Sequence, residues 1–140
     1  MTRTILSTAL FAASLLATTR APANDATPGR AAYLRYCSAC HGGDGKGEGI
    51  AATVLRPKPT DLTQLAAANG GKFPRARVQE SIDGRTRIAA HGDTAMPVWG
   101  QIFMEEKGST TSAAAEVRGQ VQLITDYIES IQALRPRATD

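Results

Sequence analysis

Cys37, Cys40 and His41 are the residues of this chain best placed to do chemistry. The two cysteines are the only ones in the sequence, and one of its two histidines follows them directly. On a helical turn, positions i, i+3 and i+4 share one face. Two sulfurs and an imidazole would therefore project to the same side. That donor set suits a porphyrin: each thiol bonds one vinyl group and the imidazole nitrogen meets the iron. C-x-x-C-H is the spacing of covalent c-type haem attachment, and such a cofactor carries its own redox chemistry.

Other uses of a paired cysteine fit less well. A thioredoxin-like redox pair needs a βαβ setting, and no run of Val, Ile and aromatic residues leads into Cys37. A structural zinc site needs about four ligands. The chain offers two Cys and two His in all, with Cys40 and His41 adjacent. A plain disulfide would leave His41 without a role.

The second axial position on a haem iron sets what the haem can do. Met96, Met104 and His91 are the candidates; Lys46, Lys58, Lys72 and Lys107 are poor donors while protonated at neutral pH. Met96 is preferred, 55 residues beyond His41 and stiffened by Pro97 just behind it. Met/His ligation raises the potential by favouring reduced iron. Met104, between Phe103 and Glu105, reads as a core gap-filler. His91 would give a bis-His site.

The elements that must position these groups are helical. Gly29 to His41 has helical character, with Thr27 and Pro28 as cap and first position. Residues 42–49 hold five glycines in eight positions and read as a tight loop. Lys46 is followed by Gly47, which excludes a phosphate loop. Leu55 to Leu62 reads as extended, because each proline pushes its predecessor out of the helical region. Thr60 or Asp61 should cap a short helix through Ala68. Pro74 to Asp83 should form another, with Val78 and Ile82 on one face and Gly84 ending it. Arg85 to Met104 reads as loop and turn, and Gly108 to Ala115 as a connection. Glu116 to Leu134 is the strongest helix: Val117, Val121, Ile124, Ile128 and Ile131 keep the 3.6-residue period, and Pro136 stops it. Strand-like alternation is absent.

Residues 1–23 read as a cleaved signal peptide. Arg3 supplies the positive start, Ile5 to Ala17 is an uncharged apolar run, and Ala21-Pro22-Ala23 is the cleavage pattern. The run is shorter than the roughly twenty residues that span a bilayer. Residues 24–140 then form a single small domain with its core at about 27–134. Export to an oxidising compartment, the periplasm, suits cysteines occupied by haem. The chain holds 16 Lys and Arg against 13 Asp and Glu. Arg3 and Arg20 would leave with the leader, so no basic excess remains for nucleic acid.

Together these residues resemble the class I c-type cytochromes, specifically small monohaem periplasmic ones, over essentially all of residues 27–134. Beyond C-x-x-C-H, the likeness rests on Gly29 and Tyr33 before Cys37, on Ile124 and Tyr127, on the glycines 42, 45, 47 and 49, and on Met96-Pro97. The resemblance implies an all-α cytochrome c fold, its N- and C-terminal helices crossing and short helices and loops wrapped around one covalent haem c. In the family the Gly allows close helix contact and the aromatics pack over it. It implies a proline carbonyl accepting from the proximal histidine, with Pro57 first and Pro59 as rival. It implies haem propionates held by Arg, Trp or Tyr, with Arg85, Arg87 and Trp99 as candidates. The stretch from Gln101 to Glu116 looks longer than in the shortest members.

The function so implied is one-electron transfer by a His41/Met96-ligated haem. The partners are redox proteins: a donor dehydrogenase or reductase and an acceptor oxidase or reductase. No stable membrane insertion is expected. A tightly bound haem subunit of a larger oxidoreductase is the alternative. A haem enzyme or gas sensor would need an open distal site.

Overall fold

The computed structural model describes residues 27–84, 96–108 and 110–133. The leader at 1–23, Arg85, Arg87, His91 and Leu134 fall outside them. Among the described residues all regular structure is helical: α1 (Pro28–Tyr36), α2 (Ser38–His41), α3 (Leu65–Ala68), α4 (Arg75–Asp83), α5 (Trp99–Glu106) and α6 (Thr111–Ser130), with single 3₁₀ turns at Ile50–Thr53 and Leu62–Gln64. None of these helices is long and apolar enough to cross a membrane.

α1 starts where a cap and a proline make it start. The Thr27 hydroxyl accepts from the Arg30 N–H at 3.3 Å, and Pro28 takes the first turn, where its missing N–H costs nothing. The helical stretch expected over 29–41 is made of two helices. Cys37, at φ −114°, bends the chain between α1 and α2. Hydrogen bonds carry across the bend, from Cys37 N to Tyr33 O at 2.8 Å and from His41 N to Cys37 O at 2.9 Å.

α6 begins five residues before the expected Glu116. The Thr110 hydroxyl accepts from Ala113 N at 3.1 Å, and three alanines follow, the residue with the highest helix propensity. Alanines 113–115 form the first turns of the helix rather than a linker. Residues 99–106 also differ from the loop expected there. Pro97 precedes that segment and does not interrupt it, so Trp99–Glu106 coils into α5 and buries Phe103.

α1 crosses α6 at Gly29. A Cβ there would lie 2.3 Å from the Leu123 carbonyl oxygen, so only glycine lets the backbones come this close. The Tyr33 and Tyr127 rings pack beside the crossing, their centroids 5.0 Å apart. Tyr33, Cys37, Val117, Val121, Ile124 and Ile128 form the core, and α4 and α5 close it with Val78, Ile82 and Phe103. Arg75 on α4 reaches both Asp126 and Glu129 on α6. These groups are exposed, and exposed pairs add at most about 1 kcal/mol each. Lys107 beyond α5 pairs with Glu116 on α6 at 2.9 Å. The Tyr36 hydroxyl meets the Glu106 carboxylate at 3.2 Å, tying α1 to α5.

Candidate functional site

α2 places Cys37, Cys40 and His41 on one short turn at the edge of the core. Both cysteines are free thiols; Cys37 is buried and Cys40 half-buried. Burial pushes the Cys37 thiol up to about 12, with Cys40 beside it adding to the shift.

The loop after His41 is folded by its own backbone. Gly47 N donates to His41 O at 2.8 Å, Gly49 N to Cys40 O at 3.1 Å and Leu62 N to Gly45 O at 2.7 Å. The buried Tyr33 hydroxyl donates to Gly42 O at 2.7 Å, fastening the loop to α1. Burial holds the Tyr33 phenol well above the usual tyrosine range, so it remains a donor. Gly47 has φ +79°, and a Cβ on it would sit 2.3 Å from Pro59 O. Both its conformation and the chain crossing it require glycine.

That crossing fixes the partner of His41. The His41 Nδ1 lies 3.0 Å from Thr60 O. A carbonyl only accepts, so Nδ1 carries the proton and the Nε2 lone pair is left for a metal. Burial pulls the imidazole below its usual range, while the Thr60 bond pushes the other way. The expected acceptor, Pro57 or its rival Pro59, is therefore corrected. Pro59 O packs against Gly47, Pro57 is exposed, and the carbonyl aimed at the imidazole is the next one along. Thr60 is the residue sequence reasoning missed, because a backbone carbonyl leaves no mark in residue type.

Three further groups hold this strand of chain. Asp61 Oδ1 accepts from Thr63 N at 2.9 Å and from the Thr63 hydroxyl at 2.6 Å. Gln132, just past α6, donates to Leu62 O at 2.7 Å and accepts from Ala66 N at 2.8 Å. Ala133 N donates to Thr63 O at 2.9 Å. The end of the longest helix thus anchors the segment that meets His41.

The other expected site residues are distributed differently. Trp99 is half-buried and packs on Tyr36 at 5.5 Å and on Phe103 at 5.7 Å. Because Tyr36 directly precedes Cys37, Trp99 belongs to an aromatic wall beside the turn that carries Cys37, Cys40 and His41. Met96 is 37% exposed, and none of the described hydrogen bonds or ring contacts ties it to His41. A groove of about 520 Å³ between α1 and α6, lined by Ala31, Arg35, Tyr36, Lys107, Gly119 and Leu123 among others, contains neither thiol nor imidazole.

The donor set fits a haem c. Two unpaired thiols on one turn suit two thioether bonds, and the imidazole has its Nδ1 engaged and its Nε2 available. The turn packed on α2, with the residue after it, leaves Ile50 and Val54 exposed, by 87% and 79%. Among the described residues no three of His, Cys, Asp and Glu gather as a metal cluster would require.

A family model described as cytochrome c oxidase, cbb3-type, subunit III matches residues 24–111, more than half of the chain. The chain belongs to that family of c-type cytochrome domains, and it has the all-α cytochrome c fold. It is a haem c electron-transfer protein rather than an enzyme, and it works with redox partners. No curated protein and no solved structure matched the chain.

Proposed function

We propose that the chain is a periplasmic monohaem cytochrome that carries one electron at a time between redox proteins. Haem c supplies the Fe(III)/Fe(II) couple. Cys37 and Cys40 would hold it by thioether bonds, and His41 and Met96 would supply the two protein ligands to its iron. Trp99 would pack against it, and Arg85 and Arg87 would be partners for its propionates. Residues 1–23 are the export signal and 24–140 the single working domain.

One observation carries this reading: the His41 Nδ1 is bonded to the Thr60 carbonyl on the same turn that presents two unpaired thiols. The bond fixes the tautomer and ring direction that an axial ligand needs. With the Met96 thioether as the second protein ligand, the iron would keep no position for a substrate, as an electron carrier requires. The buried Tyr33–Gly42 bond and the glycine loop keep the shell rigid, which limits rearrangement between oxidation states.

The second reading is a haem subunit held in a larger oxidoreductase. It is favoured by the family to which the chain belongs, which is described as that of an oxidase subunit. Mass measurement of the exported protein tests the first part: a chain starting at Asn24 with one haem added is expected, and Cys37→Ser with Cys40→Ser should remove the haem. A mass without haem would contradict it. Size analysis of material from native cells separates the two readings, because a free carrier runs as a small protein and a subunit runs with its complex.

A further inference from the structure

The bond that orients His41 ends on a main-chain oxygen, so no side-chain change deletes it directly. Its direction is set by the residues on either side. Upstream, Pro59 is pressed against Gly47. Downstream, Asp61 closes a turn over Leu62 by accepting from both the amide and the hydroxyl of Thr63, at 2.9 and 2.6 Å. Leu62 is itself held by Gly45 O at 2.7 Å and by the Gln132 side chain at 2.7 Å. Asp61 is the one side chain in this set that adjoins Thr60 and fixes the turn by two bonds at once.

We propose that Asp61 is the positioning residue of the axial imidazole. The Asp61–Thr63 turn aims the Thr60 carbonyl at His41 Nδ1, and through that bond it sets the electron-donating strength of His41 and the reduction potential. The proposal rests on His41 being the iron ligand. A well-aimed acceptor at Nδ1 gives the imidazole anionic character and makes it a stronger donor. A stronger donor favours Fe(III) and lowers the potential. Loosening the turn therefore raises the potential.

The test is potentiometric titration of the holoprotein, paired with NMR of the His41 Nδ1 proton in the reduced state. Asp61→Ala should shift the Fe(III)/Fe(II) balance toward Fe(II) by roughly threefold or more, about 28 mV for a one-electron couple. It should also speed exchange of the Nδ1 proton. Asp61→Asn keeps an oxygen acceptor for Thr63 and should stay near the parent. If Asp61→Asn moves as far as Asp61→Ala, the carboxylate charge sets the potential and the proposal is overturned. If Asp61→Ala yields no holoprotein, Thr63→Val against Thr63→Ser decides: Val must raise the potential and Ser restore it, and equal potentials overturn the proposal. A parent protein with haem bound but no His41 Nδ1 signal overturns the assignment of His41 itself. A parent with that signal, whose variants leave potential and exchange unchanged, overturns the role of Asp61 alone.

Discussion

The α1–α6 crossing and the loop after His41 are built in opposite ways. The crossing is made by side chains: Tyr33, Val117 and Ile124 are at most 1% exposed, and each fills space left by its neighbours. The loop is made by backbone. Its bonds run from Gly47, Gly49 and Leu62 amides to carbonyls, while Ile50 and Val54, which follow it, stay exposed. A crossing of this kind is held by side-chain packing, whereas the loop is held by main-chain hydrogen bonds. The two are joined at Tyr33, whose ring belongs to the crossing and whose hydroxyl belongs to the loop.

The largest expected effect comes from breaking the crossing. Ile124→Ala leaves a cavity in the fully buried core and should cost about 2–5 kcal/mol. Thermal unfolding should show that loss while the haem absorption spectrum keeps its shape. A changed spectrum would mean that the crossing and the site are not separate.

Next is the loop. Gly47→Ala must hold φ +79° and push against Pro59 O, strain of about 1–3 kcal/mol. Here the spectrum and the potential should shift along with stability, because Pro59 adjoins the Thr60 carbonyl. Stability loss with no change at the haem would detach the loop from the His41 bond.

Tyr33→Phe touches both regions and should cost about 0.5–1.5 kcal/mol for the lost hydrogen bond. It also carries a pH signature. Burial raises the folded phenol above its ordinary value of 10.0. The unfolded phenol then loses its proton first, so this contribution is whole below pH 10 and is lost as pH rises toward the folded value. Denaturation followed from neutral to alkaline pH should fall less steeply in Tyr33→Phe than in the parent. Equal slopes would place the loss elsewhere.

The same contrast explains what could be read in the sequence. The crossing was legible because side chains make it, so that the resemblance to class I c-type cytochromes could rest on Gly29, Tyr33, Ile124 and Tyr127. The Cys37, Cys40 and His41 turn was legible for the same reason. Asp61 as a cap and Gly84 as a helix end were visible from residue type. Thr60 was not, because its contribution is a carbonyl direction that any residue could supply. The early start of α6 was hidden by alanines, which suit a helix and a small-residue link alike. α5 was hidden behind Pro97, which reads as a breaker unless its place just ahead of the helix is known.

The central claim is that His41 and Met96 together close the iron of one covalently held haem. Optical absorption of the oxidised protein, with and without Met96→Ala, tests it most directly. The parent should be low-spin and show a sulfur–iron charge-transfer band, and Met96→Ala should abolish that band and raise the fraction of high-spin iron. A band that survives the substitution would contradict the assignment of Met96, and a high-spin parent would contradict the closed electron carrier altogether.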